Sequence, residues 1–468
     1  MASGNDVAYV SAVALLDLYR TGALSPVEAT RLILARLDAL QPKINAFCVV
    51  DRDGALAAAQ ESEGRWLRGE AVGRLDGVPV TIKDLILMRG FPTLRGSRLV
   101  ERGQDWSEDA PATARLREAG AVIIGKTTTP EFGWKALGDS PLTGTTRNPW
   151  DLSRTPGGSS AGAAAACAAG IAPLHLGSDG AGSIRIPSAF SGIFGFKPSF
   201  GRVPAHPPSP MGLLSHIGPM ARTVTDAALL LTVLSGPDRR DPYALPPEGR
   251  DYLDGLEGGV RDWRIAYSAT LGYAKVDPEI AATTAEAARR FEALGAIVEE
   301  IGAIFDSPRD ALFTLWAAGA AKLLAGFPGA RREVMDPGLV ATAEEGQRIS
   351  AVDYLDADLV RSALGRHMAE YHLKYDLLLT PMMPIPALPV GQDLSDPTTE
   401  RHWIDWSPFS YPFNLTRQPA ASIPCGLTSD RLPIGLQIVG PLYADHHVLR
   451  AAHAFEATQP ERRPPLAP

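Results

Sequence analysis

Short apolar runs recur along this chain, at Val78–Ile82, Ala121–Ile124, Ala172–Leu176, Ile193–Phe196, Arg264–Tyr267, Leu377–Leu379 and Ile434–Val439. Each reads as a buried strand. Helical stretches separate them near residues 111–119, 160–169, 224–235, 278–294, 350–374 and 446–457. Strands that alternate with helices must bury both faces of their sheet. The pattern therefore predicts the α/β class, with a mixed, largely parallel β-sheet covered by helices on both faces.

The chain opens helically. Ser25-Pro26-Val27-Glu28 is a capping box with proline in the first turn, and Val27, Ile33, Leu34, Leu37 and Leu40 follow at helical spacing. A second helix is expected over residues 51–69. Pro/Gly-rich segments at 204–212, 236–250 and 381–397 read as surface connections, since none has the length or low complexity of a domain linker. One large domain spanning residues 1–468 is expected, with a helical segment over about 1–70 packed on the α/β core and a more irregular helix and loop region over about 240–415.

Net charge and cysteine usage exclude some partners. A formal charge of −8 without a run of Lys and Arg argues against direct contact with nucleic acid. Cys48, Cys167 and Cys425 lie far apart in apolar surroundings and read as reduced thiols. The N-terminus carries no basic-then-apolar signal, and Ala161–Leu176 is too short and interrupted to span a membrane. A cytoplasmic location is expected, and a homodimer is the candidate assembly.

Two glycine-cradled serines carry the chemistry. Residues 177–187 read Gly-Ser-Asp-Gly-Ala-Gly-Ser-Ile-Arg-Ile-Pro. Gly180, Ala181 and Gly182 offer successive backbone N–H groups, and a helix from Ile184 would aim its N-terminus at the same place, which suits a developing oxyanion. Ser183 then stands where it can attack a carbonyl, and Asp179 and Arg185 can pair across the loop and fix its shape. The same residues also read as a Gly-rich turn with a capping serine. Lys83 ends an apolar run, at the strand end where open α/β sheets place their sites. An amine there loses solvation of its charged form and becomes a base. Its alternative is a surface ion pair with Asp84.

Other patterns compete. Gly120-Ala-Val-Ile-Ile-Gly125-Lys126-Thr127 spells a phosphate-binding loop, but its interior is strand-like, where that motif needs a flexible loop. Gly158-Ser159-Ser160-Ala161-Gly162 spells a nucleophile elbow on Ser160, although a loop precedes it where the motif requires a strand. That elbow needs a histidine, and His367, His372, His402, His446, His447 and His453 are all available. No metal-ligand spacing occurs among the histidines, so no metal site is expected.

Taken together, Lys83 after Gly-Val-Pro-Val, Gly-Gly-Ser159-Ser-Ala-Gly, and Gly-Ser-Asp-Gly-Ala-Gly-Ser183-Ile-Arg-Ile-Pro resemble the amidase signature family. The resemblance runs over most of the chain and includes Gly120–Phe132, Phe194–Pro204 and Leu432–Pro441. It implies a Ser–Ser–Lys triad, with Ser183 as nucleophile, Ser159 as the bridging serine after a cis Gly158–Ser159 bond, and Lys83 as base. It implies an oxyanion hole from the N–H groups of Gly180, Ala181, Gly182 and Ser183, with Asp179, Arg185 and Ser160 supporting these groups, and no cofactor. The chain departs from the family's Thr-Gly-Gly at Gly180-Ala181-Gly182, and a methyl at 181 alters the acyl pocket while leaving the N–H intact.

The implied function is an amidohydrolase cleaving a small-molecule carboxamide through an acyl-Ser183 intermediate. One alternative is the amidase subunit of a tRNA-dependent glutamine amidotransferase. A remoter one is a Ser–His–Asp esterase using Ser160. The substrate pocket is expected along 131–142, 207–214, 312–324 and 403–414, with Trp134, Met211, Trp403, Trp406 and Phe409 as its apolar wall. Aromatics of this density also read as core.

Overall fold

The computed structural model describes residues 7–327 and 332–466. Its strands, in chain order, are Phe47–Val50 (β1), Pro79–Lys83 (β2), Val122–Thr127 (β3), Asp139–Ser140 (β4), Gly144–Thr145 (β5), Leu174–Asp179 (β6), Phe194–Lys197 (β7), His216–Ala221 (β8), Arg264–Tyr267 (β9), Ile297–Glu300 (β10), Leu377–Pro381 (β11), Ala420–Leu427 (β12) and Pro433–Val439 (β13). Eleven of them form one sheet in the order β1-β3-β2-β6-β8-β7-β12-β13-β11-β9-β10, and β4 pairs with β5 alone. The sheet is mixed. Its parallel pairings fall in two blocks, β3-β2-β6 and β11-β9-β10, and the strands between run antiparallel. Each apolar run expected to be a strand is one.

Four strands of this sheet were not foreseen, and their sequences explain why. β1 and β10 are short edge strands. β8 and β12 each contain proline, which cannot donate to a ladder. Pro219 of β8 lies beyond its pairing with β7, and Pro424 of β12 lies where the β13 register shifts. The edge strand β1 reaches β3 only because residue 125 is glycine at φ 155°, for a Cβ there would run into the Val49 carbonyl.

The helices bury the sheet as expected. Glu28 N–H donates to Ser25 Oγ at 3.2 Å and Ser25 N–H to Glu28 Oε2 at 2.8 Å, so the capping box starts helix Pro26–Ile44. Helix Ala161–Ala168 is buried on every side. Ala165 and Ala166 pack with the N-terminal helices, and Ala163, Ala164 and Cys167 pack with Ile184 and Ile193. The small side chains of this helix let both layers approach. The region 240–415 adds β10 and the helices Arg309–Ala325 and Pro337–Gly346 to the elements foreseen there.

Lys135 ties that region to the site. Its ammonium lies 2.8 Å from Asp139, 3.0 Å from Asp336 at the head of helix Pro337–Gly346, and 3.2 Å from Asp393. Burial opposes the charge, but the three carboxylates outweigh it and raise the Lys135 pKa. Glu131 adds a second tie by accepting the Asp336 N–H at 2.6 Å. Breaking a buried ion pair from one side leaves the opposite charge uncompensated. Lys135→Met should therefore lower the urea-unfolding free energy by on the order of 3 kcal/mol. Arg20→Ala, at an exposed pair, should change it by less than about 1 kcal/mol.

Candidate active site

Strand β2 delivers Lys83 at its carboxyl end, fully buried. Its Nζ lies 2.7 Å from Ser159 Oγ, 3.0 Å from Ser160 Oγ and 3.0 Å from Ser178 Oγ. Among the described residues no carboxylate pairs with it. Asp84, the sequence neighbour, pairs at 2.8 Å with Lys126 on β3 instead. Burial pushes the Lys83 amine well below the usual lysine range, and the charge of Asp179 opposes this only in part. A neutral amine has two N–H donors and one lone pair. Ser160 and Ser178 can take the donors, which leaves the lone pair facing the Ser159 hydroxyl.

The two cradled serines meet here. The Gly158–Ser159 bond is cis. Ser160 N–H donates to the Ser183 carbonyl at 3.1 Å, which sets the two loops side by side. Ser159 and Ser183 are buried, and Ser183 Oγ makes no hydrogen bond among the described residues. Gly133 lies across from them: a Cβ at its φ of 70° would stand 3.1 Å from Ser159 Oγ. Neither Ser178 nor Gly133 was foreseen as a single residue. The signal for Ser178 was its period-two alternation with Asp179 on an apolar strand.

Asp179 and Arg185 pair as expected, both fully buried, with Arg185 Nε 3.0 Å from Asp179 Oδ2. Burial alone would raise the Asp179 carboxyl; the Arg185 guanidinium more than offsets it and holds the carboxyl well below the usual range. All five guanidinium donors are used. Nη1 reaches Ser410 O at 2.8 Å and Gln437 Oε1 at 2.7 Å; Nη2 reaches Asp179 Oδ1 at 3.1 Å and Asn414 Oδ1 at 2.6 Å. Asp179 also accepts the Gly182 N–H at 2.7 Å and the Ile184 N–H at 3.2 Å. The Gly182 N–H, expected among the oxyanion donors, is instead committed to the loop's own turn.

Most of the aromatic residues singled out in the sequence gather in one cluster. Trp134, Trp316, Trp403 and Trp406 share one buried cluster with Ala181, and Met211 packs against it. Trp316, unforeseen as a single residue, lies against the loop, for a Cβ on Gly180 would stand 3.0 Å from its ring. The indole N–H groups of Trp134 and Trp316 are buried without an acceptor among the described residues. Phe409 is elsewhere. Its ring packs with Leu378, Val439 and Met368 in a different cluster.

The competing motifs dissolve. Residues 122–127 are strand β3, so Lys126 lies in a sheet and not in a phosphate cradle. Ser160 Oγ bonds Lys83 and Ser178, and no histidine bonds any of the three serines among the described residues. The His216 ring reaches the carbonyls of Leu214 and Asp179 and, among the described residues, none of the three serines.

This geometry has known counterparts. Residues 28–449 match the Amidase family over most of the chain. The chain belongs to the Amidase family. An acylamidase from Rhodococcus erythropolis is 37% identical, over 97% of this chain and 96% of its own length. A Glutamyl-tRNA(Gln) amidotransferase subunit from Myxococcus xanthus (strain DK1622) is also 37% identical, over 93% of this chain and 94% of its own. The crystal structure of a bacterial aryl acylamidase of the amidase signature family superposes with a TM-score of 0.90 at 32% identity, covering 97% of each chain. The family resemblance read from the sequence holds, and the chain is a hydrolase of C–N amide bonds.

In an Amidase-family site the state of Lys83 has a thermodynamic signature. The unfolded lysine is protonated up to its ordinary value of 10.5, whereas the folded one gives up its proton at lower pH. Between those values the unfolded state binds more protons, so stability rises with pH. Lys83→Met should remove that component: urea unfolding at pH 7 and pH 9 should show a smaller gain for the variant than for the parent. Equal gains would mean that the buried amine keeps its proton.

Proposed function

We propose that this chain is a free-standing amidase cleaving carboxamides with an apolar acyl or aryl group through an acyl-enzyme on Ser183. The observation that carries the reading is the Lys83 amine, buried without a counter-ion among the described residues and 2.7 Å from Ser159 Oγ. Neutral Lys83 takes the Ser159 proton as Ser159 takes that of Ser183, and the Ser183 oxygen attacks the amide carbon. The N–H groups of Gly180, Ala181 and Ser183 receive the oxyanion, each worth on the order of 10²–10³ in rate. Ser159 returns a proton to the leaving amine, and water then enters by the reverse relay to free the acid.

The substrate class follows from the walls. The tryptophan cluster and Ala181 favour an apolar or aromatic acyl group. Among the described residues no cluster of His, Cys, Asp or Glu could hold a metal ion, and no helix is long and apolar enough to cross a membrane. Free thiols at Cys48, Cys167 and Cys425 support a cytoplasmic location.

The 37% identity to an amidotransferase subunit supports a second reading, in which the same site releases ammonia from glutamine for a partner. Two measurements decide. The purified single chain should hydrolyse aryl amides unaided; activity confined to glutamine in the presence of a partner would favour the second reading. Ser183→Ala should abolish fluorophosphonate labelling and Ser160→Ala should retain it, whereas the opposite pattern would move the nucleophile to Ser160.

A further inference from the structure

The loops that leave β2 and β7 border a groove of about 580 Å³. Both strands run in the direction of β6, so these loops emerge at the sheet end that carries Lys83 and Ser178. The groove's apolar lining is Leu87, Leu99, Trp106, Pro207 and Phe327, and Arg95 stands among them. It adjoins the triad. Phe327 lies against Phe132, with ring centroids 5.4 Å apart. Phe132 N–H donates to the Arg95 carbonyl at 2.7 Å, and the next residue, Gly133, faces Ser159. Leu99 and Phe132 also pack against the tryptophan cluster that holds Ala181.

Arg95 is half-buried, and among the described residues its guanidinium makes no hydrogen bond and no ion pair. Burial holds its pKa below the ordinary arginine value, and the charge of Asp84 opposes this only in part. Asp84 itself is committed to Lys126. The loop that carries Arg95 is fixed. Lys126 Nζ donates to Pro92 O at 3.2 Å and to Thr93 Oγ1 at 2.5 Å, and Ser97 Oγ donates to Glu131 at 2.6 Å. Arg95 is held at φ 56°, a backbone that residues with side chains rarely adopt. A fixed loop that keeps a desolvated cation without a partner is arranged to receive one from outside. Three carboxylates border the groove as well, those of Glu101, Asp105 and Glu108, but all three residues are exposed, where solvent screens them. Glu108 pairs with Arg240 at 2.9 Å, and Asp105 accepts from the Ser107 hydroxyl at 2.7 Å.

We propose that Arg95 receives a carboxylate of the substrate, at the far end of an apolar or aromatic arm that lies in this groove. A guanidinium fork meets a carboxylate with two parallel hydrogen bonds, and the groove has the size of a site for such an arm rather than for a lone ion. The inference rests on the reading of the site as an amidase and narrows its substrates to amides with an acidic tail.

Matched anilides test it. Para-acetamidobenzoate and para-acetamidoacetophenone carry an acid or a neutral group on the amine side; the monoanilide of glutaric acid and pentananilide do so on the acyl side. In one of these pairs the parent should prefer the acid by roughly 10-fold in kcat/KM, through a lower KM. Arg95→Met should abolish that preference, and Arg95→Lys, which keeps the charge but not the fork, should retain part of it. Arg98→Met, at an exposed neighbour on the same loop, should retain all of it. A parent with no preference in either pair would overturn the proposal. So would an Arg95→Met protein that keeps the preference or slows both members of the pair equally. Calorimetric titration of both acids into Ser183→Ala, with and without Arg95→Met, separates this inference from the amidase reading. A chain that hydrolyses no anilide contradicts that reading, whereas acid binding that Arg95→Met leaves unchanged, or no binding at all, contradicts the role of Arg95.

Discussion

A lysine amine taken out of water, with no carboxylate to hold its proton, has little reason to stay charged, and the interior of this protein keeps Lys83 in that condition. Two aspartates lie close enough in sequence or space to spoil it, and both are engaged elsewhere. Asp84 pairs with Lys126 on the neighbouring strand. Asp179 is held by Arg185 and by the Gly182 and Ile184 N–H groups. The Asp179–Arg185 pair thus has two effects. It turns the loop that presents Ser183, and it withholds a counter-ion from the base. Replacing either partner would disturb loop shape and base strength together.

The site is closed by charge on one side and by aromatic surface on the other. Lys135, bound to three carboxylates, fastens the 131–139 loop to the helices that follow residue 309. Those helices bring Trp316 onto Gly180. In the proposed mechanism, an apolar wall beside the loop would strengthen hydrogen bonds from its N–H groups to a developing negative charge.

Much of this was legible in the sequence because it is local. Apolar runs buried on both faces reveal strands, and glycines around Ser159 and Ser183 reveal loops that substrate can approach. Strands β8 and β12 were hidden by Pro219 and Pro424, whose places in the sheet depend on where neighbouring pairing stops. Arg185 was legible as the partner of Asp179, six residues away, but not as the donor to Asn414 and Gln437, which the fold brings from more than two hundred residues downstream. The Gly182 N–H went to Asp179 because the direction of a carboxylate within a turn is set by backbone dihedrals that sequence spacing does not reveal. Phe409 and Trp406, three residues apart, face different clusters, since the chain leaves its 3₁₀ turn at Trp406 and changes direction before Phe409.

The central claim is that Lys83 acts as a neutral base, and the rate of amide cleavage by Lys83→Arg tests it most directly. Arginine keeps the charge and much of the length but cannot give up its proton at working pH. With the variant shown folded by circular dichroism, kcat/KM for an aryl amide should fall by roughly 10²-fold or more, as far as in Lys83→Ala. A matched ester should lose less, because its leaving alkoxide depends less on the returned proton. A folded Lys83→Arg protein that hydrolyses the amide at close to the parental rate would contradict the account.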